Sequence, residues 1–397
     1  MSQSNNETQQ GVSGARQIVE RQPGLAGQYQ VAYNPERDVL FVTGSFNHTK
    51  THGTLCATLA RLNAHTLETE LTAYLPVVED HNPGQEGLYQ IQAAYGVALD
   101  NQSGLVWTGG TRTQTVTAYS QDDLSLVWDS RSKDDIEMLT PRELYVAPDG
   151  SVLVTGAGGY QVISTANDKG ERTVSPLRDF GPAMLLGPIA DEESGLLYVP
   201  NIIKDEIWVI DLKTWERGNV FSVRGGQDAE TSVMVHGAEI DPARGELYIS
   251  AQGAESKNSG LYILSLEGEQ LAYIPFGRMP TDILFDSKRH LLYVADFGGK
   301  GEPSIAGGGT ITVINSLTRE VVETIQVAPT RINHQVLLSD GSVIAIDKAG
   351  DYPAATVPYV LDARSGQYYE SKNESRPGEE LNSIVRDGLA RVRVTGE

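Results

Sequence analysis

The sequence predicts an all-β fold in which one sheet unit is repeated along the chain. The first observation is a strand pair: Leu197–Val199 and Glu206–Ile210 are apolar, β-prone runs on either side of a polar loop. The second is recurrence, because similar pairs begin at Leu247 and Leu292, at spacings of 50 and 45 residues. The third is the lack of helical periodicity between repeats. Such a period, with about four strands per repeat, is typical of a β-propeller.

Seven repeats follow one another along the chain, each with an opening strand, a tight turn and an apolar partner strand. The predicted opening strands are Tyr29–Tyr33, Tyr95–Leu99, Glu143–Ala147, Gly187–Ala190, His236–Ile240, Thr281–Phe285 and Asn333–Leu338. The predicted partner strands are Val39–Val42, Leu105–Thr108, Val152–Thr155, Leu197–Val199, Glu246–Ser250, Leu291–Ala295 and Val343–Ile346. The opening strands are rich in small residues, which suits backbones that converge on a central channel. The sequence therefore predicts a seven-bladed β-propeller with four-stranded antiparallel blades.

The two ends of the chain are predicted to close the ring in the last blade. Ala15–Glu20 serves as the outermost strand of that blade, and Asp387–Val394 serves as its third strand. The alternative third strand is Val357–Asp362. Pairing both ends in one sheet removes loose edges. On this interpretation residues 1–14 are a disordered segment, and residues 15–397 form a single propeller domain.

Three longer segments interrupt the repeat pattern and are interpreted as insertions. They cover Leu75–Ala93, the glycine-rich Gly298–Gly309, and most of residues 349–386. The first has a polar centre, Asp80–Gly87, of the kind that forms loops. We therefore expect decorations on one ring rather than a second domain.

Composition and charge narrow the class of function. The net charge of −21 argues against duplex nucleic acid and anionic membrane surfaces as partners. No apolar run is long enough to span a bilayer, and the single cysteine, Cys56, allows no internal disulfide. The first ten residues lack the basic and apolar parts of a signal peptide. Two interpretations stay open: a cytoplasmic protein, or the mature form of an exported one.

The first residues of the opening strands are predicted to meet at one mouth of the channel and to bind a ligand there. These residues are Tyr29, Tyr95, Arg142, His236, Asp282, Asn333 and His334. The planar guanidinium of Arg142 can bind a carboxylate or phosphate through two hydrogen bonds. The tyrosine rings can stack on a flat ligand or a base. The alternative is structural, with Arg142 paired to Glu143 or Asp282; strand alternation predicts that Glu143 turns away if Arg142 faces the mouth.

Histidines raise the possibility of a metal site or of catalysis at the same face. The predicted topology places five of the seven histidines there: His48, His52, His81, His236 and His334. His48, His52 and His81 are weak metal candidates, but no metal-binding spacing supports them, and no metal or cofactor is predicted. Gly-x-Ser-x-Gly is absent, and the glycines at 156–159 lead into a strand rather than a helix. We expect a non-enzymatic binding protein; the alternatives are a metal-binding carrier and a lyase-type enzyme with a histidine base at the mouth.

Several strand motifs resemble those of the YVTN-repeat β-propellers, and most closely the periplasmic YncE-type proteins. The motifs are Leu197–Asn201, Ile207–Asp211, Thr310–Asn315, Gly27–Tyr33 and Thr140–Leu144. The resemblance covers roughly residues 15–395. It implies a seven-bladed, non-enzymatic, exported protein, and it suggests single-stranded DNA as a partner. The large acid excess and longer insertions depart from that type, so we expect any DNA binding to be weak. A monomer that binds a small anionic molecule or a protein at the channel mouth is the resulting expectation, in the periplasm or outside the cell, with the cytoplasm as the alternative.

Overall fold

The computed structural model describes residues 17–23, 28–49, 54–79, 87–92, 94–111, 113–132, 138, 140–254, 257–277, 279–297, 309–327, 331–348, 359–362, 365–370 and 388–394. Within these residues the only helical element is a 3₁₀ turn, Ser130–Ser132. The sheets form seven blades of four antiparallel strands arranged in a ring. The predicted seven-bladed propeller is confirmed. No helix in the described part of the chain is long and apolar enough to cross a bilayer.

The strands are numbered in chain order. The first fifteen are β1 (Gln17–Pro23), β2 (Gln28–Asn34), β3 (Val39–Thr49), β4 (Thr54–Asn63), β5 (Thr69–Tyr74), β6 (Val77–Glu79), β7 (Tyr89–Ile91), β8 (Val97–Asp100), β9 (Leu105–Gly110), β10 (Thr115–Ser120), β11 (Leu126–Asp129), β12 (Pro141–Val146), β13 (Val152–Ile163), β14 (Arg178–Met184) and β15 (Ile189–Asp191). The others are β16 (Leu196–Asn201), β17 (Glu206–Asp211), β18 (Arg217–Ser222), β19 (Val235–Asp241), β20 (Glu246–Ala251), β21 (Gly260–Ser265), β22 (Gln270–Pro275), β23 (Pro280–Asp286), β24 (Leu291–Asp296), β25 (Thr310–Asn315), β26 (Val321–Gln326), β27 (Arg331–Leu337), β28 (Val343–Lys348), β29 (Tyr359–Asp362), β30 (Gln367–Glu370) and β31 (Gly388–Val394).

The blades follow the chain in order. They are β2–β5, β8–β11, β12–β14, β15–β18, β19–β22, β23–β26, and finally β27, β28, β31 and β1. In the third blade, the first half of β13 pairs with β12 and its second half pairs with β14, so one long element takes two strand positions. The first strand of each blade is the predicted opening strand, with bounds shifted by one or two residues.

The middle strands are rich in apolar residues and buried on both faces because a neighbouring blade covers each face of the sheet. In the fourth blade, Leu197 and Trp208 pack against Leu153 of the third blade. The alternate residue Tyr198 packs with Leu247 of the fifth blade. Successive strand side chains point to opposite faces, so a run such as Leu-Leu-Tyr-Val serves both interfaces. Burying each such side chain contributes about 1.5–3 kcal/mol.

Ring closure is as predicted. β1 pairs with β31 along seven positions, from Gln17 opposite Val394 to Pro23 opposite Gly388. β31 in turn pairs with β28, which pairs with the opening strand β27. The third strand of the last blade is therefore β31, and the alternative assignment of Val357–Asp362 is wrong.

Residues from two insertions meet at the first blade. β29 adds to β4 in parallel, with Tyr359 opposite Thr54, and β30 pairs with β29. The hairpin β6–β7 lies nearby, and the ring centroids of Tyr89 and Tyr369 are 4.5 Å apart. The sequence predicts His48 in the loop between the second and third strands of the first blade; it lies instead within β3, opposite Leu55, because the β3–β4 hairpin extends beyond its blade. The predicted insertion Gly298–Gly309 falls outside the described residues except for its last residue.

Candidate ligand-binding site at the channel mouth

A β-bulge recurs near the start of five opening strands. The ladder register shifts between Gln28 and Val31, Pro141 and Glu143, Val235 and Ala238, Pro280 and Asp282, and Ile332 and Gln335. Each bulge inserts one extra residue, which bends the strand and turns its side chains out of strict alternation. The predicted mouth residues lie in or beside these bulges, so neighbouring residues in one strand can both reach the channel.

Tyr29 of the first blade is at the centre of the resulting cluster. Its ring centroid lies 4.8 Å from that of Tyr95 in an edge-to-face arrangement, and 5.4 Å from the ring of His334. Its hydroxyl accepts a 3.0 Å hydrogen bond from Nη2 of Arg142, and its carbonyl accepts a 2.8 Å bond from the Asn333 amide. The structure thus brings together five of the seven predicted residues, from blades one, two, three and seven.

Arg142 and Glu143 both lie at the mouth, contrary to strict strand alternation. Nε of Arg142 is 3.9 Å from Oε1 of Glu143, and the Glu143 side chain is only 5% exposed. Oε2 of Glu143 accepts a 2.9 Å bond from the side-chain amide N–H of Gln30, and Oε1 of the same Gln30 amide accepts a bond from the backbone N–H of Val97. The expectation that Glu143 turns away is therefore wrong, because the bulge at Arg142 interrupts the alternation. The predicted structural alternative, an Arg142–Glu143 pair, is present.

Asp282 and His334 form a second pair across the sixth and seventh blades. Nδ1 of His334 lies 3.8 Å from Oδ2 of Asp282, and the same oxygen accepts a 2.8 Å bond from the backbone N–H of Gln335. Asp282 does not pair with Arg142 in this arrangement. The remaining predicted residue, His236, contacts the carbonyl of Thr281 through Nδ1 at 2.5 Å. His236 therefore belongs to the mouth through the sixth blade rather than through Tyr29.

Enclosure by the ring shifts the proton affinities of the channel groups. Burial raises the pKa of Glu143 to about 7, although the Arg142 charge and the bond from Gln30 oppose it. Burial likewise raises the pKa of Asp282 to about 7, against two backbone hydrogen bonds. Burial, followed by the Arg142 charge, lowers the pKa of His236 to about 3. Near neutral pH the mouth therefore holds partly protonated acids and a neutral His236.

Two residues of the candidate site were not predicted from the sequence. Gln30 bridges Glu143 to the second blade, as described above. Glu239 lies in β19 below His236; burial, and then the Asp282 charge, raise its pKa to about 8. The available signal for Glu239 was a carboxylate at a position where some other opening strands carry a small residue, such as Ala32 and Ala98.

The arrangement of the described residues does not support the metal-binding alternative. No three His, Cys, Asp or Glu side chains in that part of the chain are grouped to hold an ion. The candidates His52 and His81 lie outside the described residues, as does the side chain of His48.

Comparisons with known proteins do not assign a family. No family model matches the chain, and no curated protein matches it significantly. The propeller fold rests on the structure itself. The resemblance to YVTN-repeat and YncE-type proteins stays a prediction drawn from the strand motifs.

Proposed function

We propose that this propeller is a non-catalytic binding protein that holds a small anionic ligand, a carboxylate or a phosphate, at the channel mouth. The observation that carries the proposal is that Arg142 is partly exposed and has hydrogen-bond donors without acceptors among the described residues. Its side chain is 29% exposed at the mouth, and one of its five N–H donors is used by Tyr29. Its Nε is buried without a hydrogen-bond acceptor in the described part of the chain. An anion would satisfy these donors.

The local charge favours an anion in spite of the net charge of −21. With pKa values of about 7 for Glu143 and Asp282 and about 8 for Glu239, these acids are wholly or partly neutral near pH 7. His236, with a pKa of about 3, is neutral as well. Below about pH 6.5, where Glu143 and Asp282 are mostly protonated, Arg142 carries the main charge at the mouth. The electrostatic potential inside such a cleft can be positive even though the net charge of the whole protein is negative.

The tyrosines provide an apolar wall beside the guanidinium. Tyr29 and Tyr95 meet edge to face and are both half-buried, so each offers ring surface to a ligand. Single-stranded DNA, which the family resemblance suggests, would use the same rings for stacking and Arg142 for a phosphate. Its affinity should then fall with salt, with a slope of about −0.7 for each phosphate neutralised.

The test is Arg142→Gln, assayed with sulfate and with a short oligothymidine by calorimetry at pH 6.5. A charged hydrogen-bond pair is worth about 1.5–3 kcal/mol, so we expect sulfate affinity to fall about 10- to 100-fold. The matched control is Arg37→Gln, because Arg37 is also half-exposed and paired, with Asp122, away from the mouth.

Two measurements on the same variant separate the binding role from a structural one. If Arg142 serves only to stabilise the ring, its loss should cost about 3–5 kcal/mol of unfolding free energy and leave sulfate affinity unchanged. That result would refute the proposed site. Oligothymidine binding that survives in Arg142→Gln would place DNA recognition elsewhere on the chain.

A lyase-type enzyme is the second candidate, and the Asp282–His334 pair favours it. A carboxylate that accepts a hydrogen bond from Nδ1 of a histidine orients an imidazole base; Asp282 is placed for this role but, at 3.8 Å, would have to move closer to His334 to fill it. Tyr29 and Arg142 would lie on the same side as a proton donor and an anion holder. The test is elimination activity against a panel of anionic β-hydroxy and ester substrates, with His334→Gln as the inactive control. Absence of turnover across the panel would favour the binding role.

We also propose that the protein acts in the periplasm or outside the cell. The family resemblance supports a periplasmic or secreted protein, and the cytoplasm is the alternative. Fractionation of the source cells, with an antibody to the native chain, decides between them. Recovery in the cytoplasmic fraction alone would reject export.

A further inference from the structure

We infer that the anion enters the mouth together with a proton, which is taken up by Glu143; this inference rests on the proposed function. The geometry makes Glu143 and the ligand competitors for one cation. Glu143 Oε1 lies 3.9 Å from Arg142 Nε, close enough to attract the guanidinium but too far for a hydrogen bond. An anion that bonds to Arg142 would place a second negative charge beside this carboxylate.

Glu143 has few means of tolerating a second negative charge. Its side chain is 5% exposed, so water screens it poorly. Its side-chain hydrogen-bond donor, Gln30, is neutral and binds the other carboxylate oxygen at 2.9 Å. Two like charges in a poorly solvated site favour protonation of one of them. A proton on Glu143 removes the repulsion and leaves the full charge of Arg142 for the ligand.

Groups from the surrounding blades reinforce this coupling. The titratable and charged side chains that face the Glu143–Arg142 pair, directly or through one neighbour, are Tyr29, Tyr95, His236, Asp282, His334 and Glu239. The Glu143 charge already raises the pKa of Asp282, which shows that acids in the channel act on one another. The pKa of Glu143, about 7 before any ligand arrives, places the exchange near neutral pH.

The test uses sulfate as the probe, because its charge is constant between pH 5.5 and 8.5. We expect the sulfate affinity of the native chain to be nearly constant below about pH 6.5. Above pH 7 it should fall up to about tenfold per pH unit, the limit for uptake of one proton. Calorimetry at pH 7.5 in two buffers of different ionisation enthalpy should also report uptake of up to one proton per sulfate.

Glu143→Gln identifies the group that takes up the proton. The neutral amide mimics the protonated acid, so the variant should bind sulfate at pH 8 as tightly as the native chain does at pH 6. Its affinity should fall much less between pH 6 and pH 8 than that of the native chain, with a small residual slope from Asp282, whose pKa is also about 7. Glu269→Gln is the control for net charge, since Glu269 is exposed in the β21–β22 turn; it should keep the native pH dependence.

The outcomes separate this inference from the proposed function. Sulfate binding that is lost in Arg142→Gln but equal at pH 6 and 8, without proton uptake, would overturn the inference and leave the anion site standing. An unchanged pH slope in Glu143→Gln would also overturn it. No sulfate binding by the native chain at any pH would overturn both. If Glu143→Gln does not fold, the two-buffer measurement on the native chain still decides whether a proton is taken up.

Discussion

At the scale of single residues, the channel places acids and a histidine in one enclosed space with opposite consequences for stability. Glu239 has a pKa of about 8, raised from 4.5, so the folded chain binds a proton that the unfolded chain releases between these values. Its contribution to stability is complete below about pH 4.5 and is lost as pH rises towards 8. His236, lowered from 6.5 to about 3, acts in reverse. Its contribution is present above about pH 6.5 and is lost as pH falls towards 3.

These signs predict how stability changes with pH. Between pH 6.5 and 8 the buried acids Glu143, Glu239 and Asp282 lose protons that their unfolded counterparts have already lost, so these acids should make the free energy of unfolding fall as pH rises through this window. Glu239→Gln should flatten that fall, because the amide carries no proton to lose. Urea unfolding at pH 6.5, 7.25 and 8 measures the slope, and Glu269→Gln serves as the exposed control. A native slope that rises with pH, or an unchanged slope in Glu239→Gln, would contradict the assignment.

At the scale of strands, the sequence predicted where the elements lie better than it predicted how they bend. Runs that are apolar on both faces marked the middle strands, since each blade is covered on both sides. Bulges carry no comparable local pattern, because one extra residue in a strand looks like ordinary strand sequence. The Gln30–Glu143 contact was therefore missed, and the expectation that Glu143 turns away from the mouth was wrong, although the Arg142–Glu143 pair was one of the predicted alternatives. The addition of β29 to β4 was missed too, since it rests on pairing between distant residues such as Tyr359 and Thr54.

The backbones of the second and third blades approach each other closely at Gly96, near the mouth. A Cβ at this position would lie 2.2 Å from the carbonyl oxygen of Arg142 in the neighbouring blade. Gly96→Ala must therefore push the second and third blades apart, at a cost of about 1–3 kcal/mol. Because Arg142 moves with its backbone, the variant should also weaken sulfate binding.

Gly187, at the corresponding place before β15, is the matched control. A Cβ there would meet nothing within 4 Å. Gly187→Ala should change stability by less than about 1 kcal/mol, on the favourable side, because alanine has less freedom in the unfolded chain. Thermal unfolding of both variants measures the difference. Equal stability of the two would show that the blades do not pack as closely at the mouth as the structure has them.

At the scale of the whole ring, arginines bridge neighbouring blades. The side chains that cross five of the interfaces are Arg61 to Gln121 and Asp122, Arg178 to Thr214, Arg319 to Glu246, Arg289 to Gly341, and Arg391 to Ala64 and His65. Most of these bonds go to backbone carbonyls in turns, which would otherwise lack a donor. The last bridge joins the final blade to the first. Closure of the ring therefore depends on β31, which carries Arg391 and pairs with β1.

Because β31 pairs with β1, removing β1 should destabilise the whole ring. Deleting residues 1–23 removes β1 and with it the seven-position ladder to β31. Each backbone hydrogen bond is worth a net of about 0.5–1.5 kcal/mol, so the loss should amount to several kcal/mol and a clear fall in Tm. The control deletion, residues 1–14, stops before β1 and should leave Tm unchanged.

A synthetic peptide makes the same test specific to strand pairing. The truncated chain exposes the free edge of β31, which can accept an added antiparallel strand. A peptide of residues 15–24 should therefore raise the Tm of the truncated chain, with an increase that grows with the logarithm of peptide concentration once the site is mostly filled, because it binds the folded state alone. A scrambled peptide of the same composition should have no effect. If the truncated chain melts at the native temperature, or if both peptides act alike, β1 does not close the ring in solution.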